Sequence, residues 1–176
     1  VQGTGIEDGA TVNVLVNDVP VETIVQGVAF QTGVVSLQEG ENTITATATD
    51  AVGNTADGEP ITVTLDSTPP ELAFLAPLSD STVNASTDTI VIRASDAVGL
   101  DATRVDLTVD GATVTLSVGG DGTITYVAAA PFASSGTDEP ASHFVSIVVG
   151  DLAGNTSRLG AQFFVDGTAP TVQGFI

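Results

Sequence analysis

Apolar side chains alternate with threonine and other polar residues along most of this 176-residue chain. A two-residue period puts one class on each face of an extended strand. From Asn42 to Thr49, Ile44, Ala46 and Ala48 share one face, while Thr43, Thr45, Thr47 and Thr49 share the other. The beat returns at Ile61, Val63, Leu65, at Ile90, Ile92, Ala94, at Val105, Leu107, Val109 and at Val114, Leu116, Val118. It closes with Val145, Ile147, Val149 and Ala161, Phe163, Val165. No window longer than ten residues keeps a 3.6-residue apolar period, and Gly, Asn, Asp or Pro interrupts the chain every eight to twelve residues. That spacing predicts an all-β sandwich or barrel with helix close to absent.

The interruptions also predict connections. Asp110-Gly111 lies between Leu107, Val109 and Ala112, Val114. It is the two-residue signal of a type I′ hairpin, whose central residues both need positive φ. Asn17-Asp18 stands in the same setting between Val14, Val16 and Val19, Val21. Gly119-Gly120-Asp121-Gly122 lacks the Lys and Ser/Thr of a phosphate-binding loop and reads as a tight reversal.

Three landmarks recur in one order. Asp50-Ala51-Val52-Gly53-Asn54-Thr55 returns as Asp151-Leu152-Ala153-Gly154-Asn155-Thr156, 101 residues on; Asp66-Ser67-Thr68-Pro69-Pro70 returns as Asp166-Gly167-Thr168-Ala169-Pro170, 100 on. The two hairpin turns lie 93 apart. Such order at nearly one offset is a tandem duplication. Each repeat has about 100 residues, the size of one immunoglobulin-type sandwich. The expected division is 1–68 for a first module, incomplete at its N-terminal side, 69–168 for a complete second module, and 169–176 for the opening of a third. Pro69-Pro70 makes the link short and stiff. In the second module strands are expected at 71–76, 89–95, 104–109, 112–118, 123–128, 142–149 and 158–165, and an opening strand of the third at 171–176. The chain therefore reads as a slice of a longer array.

Charge narrows the function classes. There are 22 acidic residues against 3 basic ones, for a net charge of −19. An eighth of the chain is acidic, which is ordinary, so the imbalance comes from missing cations. Three arginines cannot neutralise a row of phosphates, which excludes nucleic acid as a partner. No run approaches the ~18 consecutive apolar residues of a membrane helix, so membrane insertion is not expected. With no Cys there are no disulfides and no thiolate zinc sites.

The run from Leu37 to Pro70 carries a Gly and an Asn before a Thr-rich strand, then Asp-x-x-Gly-Asn, a last strand, and Asp-x-Thr-Pro-Pro. In the second module Ser95-Asp96-Ala97-Val98-Gly99-Leu100 precedes a strand that ends in Asp110-Gly111. At these residues the chain resembles bacterial immunoglobulin-like repeats, in particular the type named after domain B of glucodextranase, and the tandem repeats of large bacterial surface adhesins. The resemblance covers most of the chain; it departs at the shortened first module and at Ala130 to Pro140, which form a longer loop than usual. It implies tandem immunoglobulin-like antiparallel β-sandwiches, secreted or at the cell surface, acting as non-catalytic spacers or adhesive modules.

Placed on such a sandwich, the loops around Asp96 to Asp101 and Asp151 to Asn155 face the preceding module, with Asp66 arriving on the linker. Asp66, Asp96, Asp101, Asp151 and Asn155 are therefore candidate metal ligands, and calcium is the cation suited to carboxylates, amide oxygens and backbone carbonyls. The competing expectation is structural: Asp and Asn in these turns cap their own backbone amides, and Gly53, Gly99 and Gly154 supply positive φ.

Catalysis has little to build on. His143 is the one imidazole in the chain. Asp138, Glu139 and Ser142 lie near it in sequence, but a triad is a spatial arrangement with an oxyanion hole, and neighbours on a strand point to opposite faces. By parity His143 sits one step before the inward Val145 and is expected to be a structural residue at the entry to the strand. Phe144, Val148 and Phe164 share the outward parity and could form a modest apolar patch. No catalytic residue and no required cofactor is assigned. The expected role is an extracellular structural or adhesive spacer whose partners are neighbouring modules and, in an adhesive setting, a glycan or cell-surface ligand. The alternative is an accessory carbohydrate-associated module of a secreted glycoside hydrolase.

Overall fold

The computed structural model describes residues 1–172 and 174. By its internal contacts the chain divides into two units, Val1–Ser67 and Thr68–Ile176. Every regular element among the described residues is a strand, so the all-β expectation holds.

The first unit contains β1 (Gln2–Thr4), β2 (Thr11–Val16), β3 (Val19–Val21), β4 (Thr23–Gln26), β5 (Ala29–Thr32), β6 (Gly40–Thr49), β7 (Thr55–Asp57) and β8 (Ile61–Leu65). One sheet runs β1-β5-β4; the other runs β3-β2-β6, with β7 and β8 following one another along the far edge of β6. All these pairings are antiparallel. The break between β7 and β8 falls at Gly58-Glu59-Pro60, where proline has no N–H to give a ladder. Val14, Val16 and Ile44 are the buried apolar centre, with Val12, Val21, Phe30, Val35, Leu37 and Ala46 packed around them. Ile61 and Val63, inward by alternation, nonetheless remain 53% and 37% exposed.

The second unit contains β9 (Glu71–Ala76), β10 (Thr82–Asn84), β11 (Thr89–Ser95), β12 (Leu100–Val109), β13 (Ala112–Thr113), β14 (Ser117–Val118), β15 (Thr123–Val127), β16 (Ala141–Asp151) and β17 (Thr156–Asp166). Its sheets run β14-β15-β11-β9 and β10-β17-β16-β12-β13. An immunoglobulin-type sandwich sets its first, second, fifth and fourth strands in one sheet and its third, sixth and seventh in the other. The second unit has this arrangement, with short β10 added parallel to β17. Ile90 and Ile92 of β11 and Ile124 of β15 meet Leu107, Val145, Ile147, Val149, Phe163 and Val165 of the facing sheet in one buried cluster.

Both hairpin turns have the expected backbone: Asn17 and Asp18 at φ 50° and 63°, Asp110 and Gly111 at 51° and 80°. Gly122 closes the reversal between β14 and β15 at φ 82°, and a Cβ there would run into the carbonyl of Ala94. The strand expected over 112–118 is instead two, because β13 pairs β12 in one sheet while β14 pairs β15 in the other. Val114 and Leu116 keep facing the core as the chain crosses, which is why the alternation shows no break. The opening strand expected over 171–176 falls largely on Gln173, Phe175 and Ile176, which lie outside the described residues.

Candidate functional site

The sole imidazole is built into the second unit. His143 is 8% exposed on β16. Its Nδ1 donates to Oδ2 of Asp110 at 2.7 Å, and its Nε2 donates to the carbonyl of Ala133 at 2.8 Å. The ring stacks on Phe163, with centroids 5.3 Å apart, and lies against Phe132 at 5.4 Å. Asp110 uses its other oxygen to accept the backbone N–H of Phe144 at 2.8 Å. One side chain thus ties the hairpin turn, the start of β16 and the loop before it. Asp138 and Glu139, the acidic neighbours in sequence, are not the ring's partners. The nitrogen that a triad would use to take a proton from a nucleophile is bonded to a backbone carbonyl.

The first unit repeats this device with other side chains. Asn42 stands 101 residues before His143 and Asn17 stands 93 before Asp110, the two offsets of the repeat. Asn17 Nδ2 donates to Asn42 Oδ1 at 2.8 Å, and Asn17 Oδ1 accepts the N–H of Thr43 at 2.9 Å. Asn42 is fully buried. Its amide donates to the carbonyls of Gln38 and Gly40 at 2.7 and 2.9 Å and reaches that of Val63 at 3.4 Å, while its oxygen also accepts the N–H of Gln38. A buried amide needs all its partners, and this one has them. Gly40 and Asn42, at the start of β6, mark this clamp in the sequence. Its kinship with His143 shows only when the 101-residue offset is applied to the two positions.

The Asp-x-x-Gly-Asn loops fold alike in both units. Asp50 Oδ1 accepts the N–H groups of Val52 and Asn54 at 2.9 and 2.8 Å, and Oδ2 accepts Nδ2 of Asn54 at 2.6 Å. Asp151 Oδ1 accepts the N–H groups of Gly154 and Asn155 at 2.6 and 2.8 Å, and Oδ2 accepts Nδ2 of Asn155 at 2.9 Å. The side-chain and backbone bonds from Asn54 hold the Asp50 carboxyl below its ordinary value. At Asp151 burial pushes upward, but the bonds from Asn155, Gly154 and Ala153 outweigh it, and the net shift is again downward. Asp121 and Asp101 are lowered too, by the backbone and hydroxyl bonds of Thr123 and of Thr103. Backbone amides thus serve these turn acids where lysine is absent.

Among the candidate metal ligands of the second unit, Asp96 and Asp151 come together. The loops that carry them are joined by the bond from the Leu152 N–H to the Gly99 carbonyl at 3.0 Å, and a carboxylate oxygen of each lies within 4.8 Å of the other. Asp96 Oδ1 accepts the N–H groups of Val98 and Gly99; its Oδ2 accepts no bond among the described residues. Asp101 turns to its own Thr103, and the Asn155 amide nitrogen is given to Asp151. Asp66 follows β8 in the first unit. Calcium takes six to eight oxygens, so the two carboxylates of the second unit fit it chemically and supply part of a shell.

Phe144 is 56% exposed, but the register sets it opposite Gln162, Val148 opposite Arg158 and Phe164 opposite Ser142.

No family model matches the chain. It is 31% identical over 147 residues to Bacillopeptidase F of Bacillus subtilis (strain 168), a match covering 84% of this chain and 9% of that protein. The chain thus spans about a tenth of the length of that curated relative. Solved structures similar to it include the fibronectin(III)-like modules of Clostridium thermocellum CbhA, at 17% identity and a TM-score of 0.41 over 99% of this chain and 86% of that one. The Protocadherin GammaB4 extracellular domain is similar at 12% identity and a TM-score of 0.49, over 88% of this chain and 25% of that one.

Proposed function

We propose that the two units are non-catalytic structural modules of the glucodextranase-domain-B and surface-adhesin repeat type, serving as spacers in an extracellular bacterial protein, with neighbouring modules as their partners. The observation that carries this is the equivalence of His143 and Asn42. The side chain with the most chemical potential in the chain occupies a position where the sister unit keeps an inert amide, and each is bonded to the same hairpin turn, with donor and acceptor exchanged between the two units. Both Asp-x-x-Gly-Asn loops tie their Asp to N–H groups of their own turn and to their own Asn side chain, which favours rigidity. The stretch similar to Bacillopeptidase F forms 9% of that protein, which fits a module carried within a longer chain. Calcium enters as a stiffening ion, with Asp96 and Asp151 as its ligands in the second unit.

The test is a screen of the purified chain for retention on immobilised polysaccharides and for hydrolysis of ester, peptide and glycoside substrates. The spacer reading expects retention and turnover equal to those of an unrelated sandwich module. Saturable retention on one glycan would replace it with the accessory carbohydrate role. Turnover abolished by His143→Asn, with the fold intact, would make the chain an enzyme.

A further inference from the structure

His143 faces an acceptor at each end of its ring, Oδ2 of Asp110 at Nδ1 and the carbonyl of Ala133 at Nε2. A carbonyl can only accept, so Nε2 carries a proton; an ionised carboxylate can only accept, so Nδ1 carries one as well. A neutral imidazole has a single N–H and satisfies one of the two. Both bonds at once require the imidazolium, in a charge-assisted contact with Asp110. The amide pair at the same place in the first unit, Asn17 and Asn42, makes its bonds with no titratable proton.

The bond at Nε2 fastens the segment of residues 128–140 that joins β15 to β16. Phe132 of this segment donates its N–H to the Thr87 carbonyl at 2.9 Å, and its buried ring lies against Tyr126, His143 and Phe163. Further on, the Thr137 carbonyl accepts Oγ1 of Thr168 at 2.6 Å. Between these anchors the Ala133 carbonyl is held, among the described residues, by the His143 ring.

We propose that residues 128–140 form a proton-held strap, fastened while His143 is doubly protonated and released when the ring loses one proton. Charge decides which bond fails. Asp110 is fixed by two bonds to Phe144, one from its N–H to the carbonyl and one from the Phe144 N–H to its Oδ1. The carboxylate therefore stays in place and keeps the remaining proton on Nδ1, where the bond is the stronger. Nε2 then turns a lone pair to the Ala133 carbonyl, and the two acceptors repel. Asp110 is the one charged group bonded to the ring among the described residues. Phe163 of β17 and Phe132 of the strap are neutral, Tyr126 of β15 lies behind Phe132, and the strap's acids Asp138 and Glu139 are exposed. The proton belongs to the fastened form, so fastening is complete on the acid side of the ring's titration and is lost as pH rises through it. It also needs an ionised Asp110, which sets a lower bound of about pH 5.

The chain has one Tyr and no Trp, and Tyr126 lies against Phe132 with ring centroids 6.5 Å apart, so tyrosine emission and near-UV dichroism report on the strap. The experiment follows both signals from about pH 5 to about pH 9, below the ~10 at which tyrosine ionises. The unaltered chain is expected to show a one-proton step. Asp110→Asn/His143→Asn, which installs the amide pair of the first unit, is expected to show none. Nitrogen-15 spectra of the single histidine need no variant. They should show two protonated ring nitrogens on the acid side of the step and the Nδ1-protonated tautomer beyond it. Absence of a step, a neutral ring at the acid end, or a step that persists in the amide variant overturns the proposal.

Discussion

Asn42 and His143 occupy the same point of two successive units, and each is bonded to the first residue of a type I′ hairpin turn, Asn17 in one and Asp110 in the other. The turn residue then reaches past its partner to the next backbone N–H, that of Thr43 or Phe144. Two chemically different pairs therefore do one mechanical job, which is to fix the hairpin against β6 in the first unit and β16 in the second.

The amide version is expected to be the less forgiving. Asn42→Ala removes, at a fully buried position, the bonds to the Gln38 N–H and to the carbonyls of Gln38 and Gly40, each worth on the order of 1 kcal/mol. Asn42→Asp keeps the shape but turns a carboxylate toward those carbonyls, and should be at least as damaging. Urea unfolding of the first unit should report a loss of roughly 2–4 kcal/mol for either change.

Acid should destabilise the protein through its turn acids. Asp50, Asp101, Asp121 and Asp151 all ionise below the 3.8 of a free aspartate when folded. As pH falls the unfolded chain takes up these protons first, so their contribution is complete above pH 3.8 and is lost as pH drops through the lower folded values. Thermal midpoints measured from neutral pH downward should fall in that window. The fall should be shallower for Asp50→Asn/Asp151→Asn, which starts lower at neutral pH.

If calcium binds at Asp96 and Asp151, a melt of the full chain with millimolar calcium should end several degrees above one in excess chelator, because an ion held by the folded state alone shifts its equilibrium. Asp96→Asn should remove that difference while leaving the chelator midpoint nearly unchanged. Equal midpoints for the unaltered chain would take calcium out of the account.

Much of the second unit was legible in the sequence. Strands β9 and β11 follow their alternation to the residue, since Pro70 and Asp96 bound them with strong breakers. Strand β10 was not, because three residues paired in parallel with β17 carry no period. The split of 112–118 into β13 and β14 was hidden for the opposite reason, an alternation that persists through a change of sheet. In the candidate site, the self-capping Asp-x-x-Gly-Asn loops follow from local chemistry and could be foreseen. The bond between His143 and Asp110 could not, because it spans 33 residues and depends on the register of β12 with β16.

The central claim is that His143 is a clamp, interchangeable in kind with the amide pair of the first unit. Its most direct test is a double-mutant cycle in urea unfolding with His143→Ala, Asp110→Ala and the double variant, beside Asp110→Asn/His143→Asn. The account predicts a loss of about 2–4 kcal/mol for His143→Ala, from the lost ring packing and the two lost bonds. It predicts coupling of at least ~1 kcal/mol with Asp110, and a smaller loss when the amide pair is transplanted than when His143 is truncated. A His143→Ala protein within ~0.5 kcal/mol of the parent, with no coupling to Asp110, would contradict it.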